Sequence, residues 1–329
     1  MYKEDILRIL KNANSYISGE AIRKELGISR MAVSKNISQL REAGYEIDSC
    51  TNKGYQLNHY SPRYDYTELA SCLPKEIELL FFDELSSTNT YLKSIANDKE
   101  KNPVCAVAKR QTAGRGRKGH RFVSNSGIYA SVLLHPKVKY NDLACLTAFA
   151  GVCICEALEA VCGIQPDIKW VNDILLNGKK ICGILTEISM EAETASSDYA
   201  IIGFGINTDL QTFPEEIRDI AASIEGETGK KVDKSTLLCE IVKRICSLES
   251  ELSLKHDVYI EKYRALCCTL GKSVMVLSNP PFEGKAINIL NDCSLAIQLA
   301  SGEIKNVSFG EVSVHGLMGY SCFFQISFC

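Results

Sequence analysis

Apolar residues recur at helical spacing through the first forty positions of the chain. Ile6, Leu7, Ile9 and Leu10 predict one helix, and Ala21, Ile22 and Leu26 a second that Ser18 is placed to cap. Gly27 breaks it, and Ser29 then caps a third helix, Arg30 to Ala43, with Met31, Val33, Ile37 and Leu40 as its apolar positions. Helix, short glycine turn and helix make a helix-turn-helix pattern. Two short runs, Gly44 to Ile47 and Lys53 to Leu57, read as strands joined by a polar tip, so residues 1–60 form a winged helix. Residues 61–68, around Pro62, read as a linker.

The pattern then shifts to strand-length apolar runs, Ile77 to Phe82, Val104 to Ala108, Gly127 to Leu134 and Ala200 to Asn207. Helical spacing recurs at Leu92, Ile95 and Ala96, over Asp142 to Cys162, from Leu237 to Leu252, and from Val258 to Cys267. Asn177-Gly178 predicts a hairpin between Ile174–Leu176 and Lys180–Ile188, because both positions of a type I′ turn need positive φ. That hairpin holds Lys180 on a strand, with Lys179 on the opposite face. Gly203 and Gly205 inside a buried strand imply close approach by backbone or ligand. From Gly271 the texture becomes short alternating strands, Val274 and Val276, Ala286 and Ile289, Leu295 to Leu299, Val312 and Val314, a small barrel of about 50 residues. Residues 69–270 thus combine helices and strands whose order in a sheet the pattern leaves open, and residues 271–329 read as a small β region.

At 329 residues the chain suits two or three domains, and its net charge of -3 argues against global attraction to nucleic acid. Residues 1–64 nevertheless carry ten Lys and Arg against seven Asp and Glu. Arg30, Ser34, Lys35, Asn36 and Gln39, at the start and on the polar side of the third helix, are residue types that reach phosphates and base edges in a major groove. The competing reading is a protein-binding helical module with a solvated face. The fifteen cysteines are odd in number and sit largely in apolar runs such as Val152-Cys153-Ile154-Cys155, so they read as buried thiols of a reducing cytoplasm. Without CxxC or HExxH motifs, no structural metal site is expected. No apolar run reaches the roughly 20 residues that span a bilayer. The apolar tail Leu317 to Cys329 is expected on the surface or a partner.

The candidate chemistry centres on Gly114-Arg115-Gly116-Arg117-Lys118-Gly119-His120. Glycines let backbone NH groups turn toward an anion, and each guanidinium fork fits a carboxylate or phosphate through two hydrogen bonds. The loop formally satisfies the dinucleotide-binding fingerprint. However, the stretch after it is not helical, and Lys137, Lys139 and Tyr140 stand where that motif needs an acid. A solvated basic turn is the plainer alternative. Ser87-Thr88-Asn89 precedes a helix and reads either as its cap or as ligand donors and acceptors. The single tryptophan lies in Lys169-Trp170-Val171-Asn172-Asp173, among polar residues unusual for a simple core strand.

Taken in order, Ser87-Thr88-Asn89, Gln111 with the basic loop, Lys169 to Asp173, Lys180 through Gly183-Ile184-Leu185-Thr186-Glu187, and Gly203 to Asn207 resemble biotin protein ligases. With the winged helix in front, the likeness is to the bifunctional type that also represses the biotin operon. The resemblance implies an α+β fold, with a class II aminoacyl-tRNA-synthetase-like mixed-sheet catalytic domain over 69–270 and an SH3-like C-terminal barrel over 271–329. It implies ATP and biotin as substrates, Mg²⁺ with the ATP, a biotinyl-5′-adenylate intermediate, and transfer to a lysine of a biotin carrier domain. Operator DNA is the implied second partner, bound by a homodimer that forms with the adenylate.

Carried over by motif, Ser87, Thr88, Asn89 and Gln111 hold the biotin head group; Gly114, Arg115, Gly116, Arg117, Lys180 and Gly183 surround the junction of carboxylate and phosphate. Lys118, His120, Phe122, Trp170, Asn172 and Asn207 fall on the nucleotide side. Asp173 either orients the acceptor lysine, the preferred role, or helps place Mg²⁺. Val171, Phe122 and His315 depart from the family's usual proline, tryptophan and arginine. A biotin-sensing repressor with little ligase activity, and a lipoate or octanoate ligase, are the alternatives.

Overall fold

The computed structural model describes residues 2–13, 15–59, 63–97, 103–117, 122, 126–136, 143, 145–190, 197–308 and 312–314. It divides into two compact units, one of residues 1–75 with 233–239, the other of 76–232 with 240–329. No helix among the described residues is long and apolar enough to cross a membrane.

In the first unit, α1 (Lys3–Asn12), α2 (Gly19–Leu26) and α3 (Arg30–Glu42) precede an antiparallel wing of β1 (Glu46–Cys50) and β2 (Gly54–His59). The local signals act as the sequence predicts. Ser18 Oγ accepts from Ala21 N at 3.0 Å, Ser29 Oγ accepts from Ala32 N at 3.1 Å, and Gly27 ends α2 at φ +66°. Ile6, Leu7, Leu10, Ile22, Val33, Ile37 and Leu40 form the core with Tyr45 and Ile47. Met31, expected among the apolar positions, is instead 83% exposed. At one residue into α3 it precedes the buried stripe set by Val33, Ile37 and Leu40.

The expected linker is partly a helix. Asp65 Oδ1 caps α4 (Tyr66–Cys72) by accepting from Glu68 N at 3.0 Å. Glu68 is fully buried, and its carboxylate accepts from the Tyr45 hydroxyl at 2.8 Å and pairs with Lys11. Burial, then the Glu68 carboxylate, hold the Tyr45 hydroxyl well above its usual range. Because α4 joins this core, the first unit runs past residue 68, to 75.

The second unit is built on a seven-stranded mixed sheet in the order β3-β4-β5-β9-β8-β7-β6. Its strands are β3 (Glu78–Leu85), β4 (Val104–Gln111), β5 (Ile128–Leu134), β6 (Asp167–Lys169), β7 (Asp173–Leu176), β8 (Lys179–Met190) and β9 (Ser197–Ile206). Among these strands, as described, β3 and β4 alone pair in parallel; α5 (Thr88–Ile95) lies between them in the chain, as a crossover requires. Leu92 of α5, with Ala96 just beyond it, packs on Val104, Ala106, Leu133 and Ile201. The helix α6 (Leu146–Cys162) is apolar around most of its circumference and buried accordingly. Asn177 and Gly178 take φ of 52° and 79°, forming the predicted turn between β7 and β8.

Three further helices follow: α7 (Ile224–Thr228), α8 (Lys234–Glu251) and α9 (His256–Leu266). After them comes a five-stranded antiparallel sheet, ordered β13-β12-β11-β10-β14, with β10 (Ser273–Val276), β11 (Phe282–Ile289), β12 (Leu295–Gln298), β13 (Ile304–Val307) and β14 (Val312–Val314). The sequence pattern misses β13, whose residues are mostly exposed and so lack apolar alternation. Edge strands β13 and β14 do not pair, so the described residues form an open sheet rather than a closed barrel. His315 and Leu317 to Cys329 lie outside the described residues.

Candidate active site

The residues Ser87, Thr88 and Asn89 lie where β3 passes into α5. Ser87 Oγ accepts from Thr90 N at 3.4 Å, so the trio does include the helix cap. Thr88 and Asn89 point into buried surroundings, 3% and 4% exposed. Gln111, at the end of β4, accepts the Thr88 N–H through Oε1 at 2.8 Å.

Ser131 on β5, absent from the sequence-based set, ties these groups together. Its Oγ lies 2.6 Å from both Thr88 Oγ1 and Asn89 Oδ1. An amide oxygen only accepts, so the Ser131 proton goes to Asn89 and the Thr88 hydroxyl supplies the proton of the other bond. Asn89 Nδ2 then donates to Leu185 O at 3.2 Å and to Glu187 Oε2 at 3.0 Å. The sequence signal for Ser131 was a small hydroxyl inside the apolar run Ile128 to Leu134. Gly203 completes this corner, since a Cβ there would stand 1.9 Å from Asn89 Oδ1.

The cations arrive from three segments. Glu187 Oε1 receives Arg115 Nη1 at 3.5 Å and Lys93 Nζ at 3.6 Å. Arg117 Nη1 donates to Asn172 Oδ1 at 3.1 Å, while Lys180 Nζ meets the next residue, Asp173, at 2.7 Å. The basic loop and β8 therefore converge on one dipeptide, Asn172-Asp173. The side chains of Lys180 and Asp173 are 28% and 16% exposed against 50% for Arg115, so the lysine pair is sheltered from solvent screening and the arginine is not. Asn172 is itself fixed, its side-chain amide donating to Ile184 O at 3.0 Å and its backbone carbonyl accepting from Ile184 N at 3.0 Å. The backbone of Lys180 is held by bonds to Ile220 O and from Ala222 N. Lys179 pairs instead with Glu227, as opposite faces of a strand require.

Phe122 supplies a cover. Its N–H donates to Gly114 O at 3.0 Å, and its ring lies on Gly205 and Gly183, which face each other across β9 and β8. A Cβ on Gly205 would meet the ring at 2.5 Å, and one on Gly183 would meet both Lys180 Nζ at 3.2 Å and the ring at 3.3 Å. Gly114 is buried and Gly116 half-buried beside the exposed Arg115. Lys118 and His120 lie outside the described residues.

Two expected nucleotide-side residues serve the framework. Trp170 is buried, its indole N–H donating to Cys293 O at 3.0 Å and its backbone N–H to Thr269 Oγ1 at 3.0 Å. Asn207 donates its amide to Ala222 O at 3.1 Å, which fixes the segment bonded to Lys180. On α3, Arg30, Ser34 and Lys35 are exposed and Gln39 half-buried. Asn36 differs from them: it is 8% exposed and its amide donates to Ala32 O one turn back, at 2.8 Å.

Residues 81–207 match the model of the biotin/lipoate A/B protein ligase family, and residues 3–56 that of an HTH domain. The bifunctional ligase/repressor BirA of Bacillus spizizenii is 38% identical over 95% of this chain and 98% of its own length. That of Escherichia coli strain K12 is 26% identical over 94% and 96%. The structure of biotin protein ligase from Aquifex aeolicus in complex with biotin and ATP is similar with a TM-score of 0.62 at 31% identity, covering 72% of this chain and 98% of that one. A helix-turn-helix unit joined to this site, and likeness to a two-function relative across nearly its full length, lead to one conclusion: the chain belongs to the bifunctional ligase/repressor family of biotin protein ligases.

Proposed function

We propose that this chain activates biotin with ATP, giving biotinyl-5′-adenylate and pyrophosphate, passes biotin to a lysine of a carrier domain, and represses biotin genes in response to biotin. The observation that carries the site assignment is the convergence of Arg117 and Lys180 on Asn172-Asp173. Joining a carboxylate to a phosphate brings two anions together, so their repulsion must be offset by donors already in place. A strand-borne lysine braced by Asp173 and an arginine braced by Asn172 meet that need without reorganisation.

In this reading Ser87, Thr88, Asn89, Gln111 and Ser131 bind the polar head of biotin in the buried corner under Gly203. Arg115, Gly116, Arg117, Lys180 and Gly183 surround the reacting junction, and Arg115 exchanges Glu187 for substrate anion. Asp173, already braced against an ammonium group, is suited to receive the acceptor lysine. Among the described residues no group of three or more His, Cys, Asp or Glu is arranged to hold a metal. Mg²⁺ is expected with the ATP, bound to phosphate oxygens and water, its usual company. On the same reading the C-terminal sheet, open in its described residues, is of SH3-like type, the mixed sheet is of the class II synthetase-like type, the adenylate-bound state is a homodimer, and the protein is cytoplasmic.

The deciding experiment incubates the protein with ATP, biotin and a biotin carrier domain. Labelling of the carrier lysine is expected, and competition by octanoate or lipoate should be negligible. Adenylate formation without carrier labelling would favour a sensing repressor, and labelling by octanoate a different ligase.

A further inference from the structure

The first unit holds a cysteine pair that neither DNA binding nor ligation uses. Cys72 ends α4, Cys239 lies in the opening turns of α8, and the two are joined with a Cα–Cα distance of 6.2 Å. That separation lies within the range of roughly 4.4–6.8 Å that disulfides adopt. The other described cysteines are thiols, so the expectation of thiols throughout fails at this pair alone among the described residues.

Two features bear on reversibility. Cys72 Sγ lies 3.4 Å and Cys239 Sγ 3.8 Å from the same carbonyl oxygen, that of Leu69. Each thiol, when reduced, thus has an acceptor in place, and opening the bond strands no polar group. Exposure is also unequal: Cys72 is partly exposed and Cys239 is 2% exposed. Topology gives the pair its leverage. The chain leaves the first unit after residue 75, returns at 233 and leaves again after 239. Cys72 therefore stands just before the first exit and Cys239 at the second.

We propose that Cys72 and Cys239 are a reversible, peroxide-responsive dithiol couple that clamps segment 233–239 to α4. The partly exposed Cys72 thiolate attacks one oxygen of hydrogen peroxide and the O–O bond breaks. The departing hydroxide leaves as water on taking a proton, and Cys72 becomes a sulfenic acid. Cys239 sulfur then attacks Cys72 sulfur, the S–O bond breaks, and a second water leaves with the Cys239 proton. Two thiols lose two electrons and one peroxide becomes two waters. An external dithiol reverses the step through a mixed disulfide. In a reducing compartment the couple rests as two thiols.

The test treats the reduced full-length chain with stoichiometric hydrogen peroxide, blocks remaining thiols and maps linked peptides by mass spectrometry. A Cys72–Cys239 crosslink that dithiothreitol opens in the native protein is expected. Oxidation should raise the thermal transition of the first unit by roughly 5–10 °C, because the bond closes a long loop. In Cys239→Ser, dimedone should trap sulfenic acid at Cys72, and in Cys72→Ser label at Cys239 should be at least tenfold lower. Absence of the crosslink, a crosslink that opens only after denaturation, or label predominantly at Cys239 would each overturn the proposal. Because wild type carries the first readout, the result does not depend on the variants folding.

Discussion

Lys180 Nζ lies 2.7 Å from Asp173 Oδ1, reaching past Gly183, where a Cβ would crowd the ammonium group at 3.2 Å. A side chain at Gly183 would therefore crowd the lysine where it lies along its own strand. Lys180→Ala is expected to lower biotinyl-adenylate formation by about 10²–10³, the usual loss when one preorganised donor is removed. Asp173→Asn keeps the volume but not the charge, and should slow carrier labelling more than adenylation. Separate assays of pyrophosphate release and carrier labelling check both, and equal loss in the two steps would assign Asp173 to adenylation.

Gly205→Ala would bring a methyl group to 2.5 Å from the Phe122 ring. Overpacking of this kind costs about 1–3 kcal/mol. The variant should therefore be less stable and less active, and adding Phe122→Ala should recover part of the stability. Denaturant unfolding of both single variants and the double variant measures that coupling.

Exposed Arg30 and Lys35 differ from buried Asn36 in what they should do to operator binding. Arg30→Ala and Lys35→Ala are expected to weaken it, each reducing the slope of log K against log salt by about 1 if the side chain meets a phosphate. Asn36→Ala removes only an intrahelical bond to Ala32 O and should change affinity little, costing about 1 kcal/mol of stability. Titrations at several salt concentrations, together with melting curves, separate the two behaviours.

Buried thiols set an alkaline limit. Burial pushes Cys153 and Cys246 up to about 12 and Cys268 to about 11, from an ordinary value of 9.0. Their folded-state affinity for protons exceeds that of the unfolded chain, so this contribution is complete below pH 9 and is lost as pH rises toward 11 and 12. Stability should fall progressively above pH 9, and Cys153→Ala should flatten the fall while lowering stability at neutral pH. Urea unfolding from pH 7 to 11 tests this.

Much of the molecule follows from local chemistry that the sequence states outright. Ser18, Ser29 and Gly27 end helices because a hydroxyl or a left-handed glycine serves terminal backbone groups wherever the helix lies. Asn177-Gly178 makes its turn for the same local reason, and the motifs, in their order and spacing, carried the resemblance to biotin protein ligases. Position in the fold decided the rest. Ser131, Glu187 and Asn89 come together only because β5, β8 and α5 meet over Gly203, a relation between segments far apart in the chain. Trp170 and Asn36 belong to residue types that read as ligand contacts, yet Cys293 O and Ala32 O take their donors. Periodicity and spacing record which face a residue occupies; the partner that satisfies a buried polar group is set by packing across the sheet.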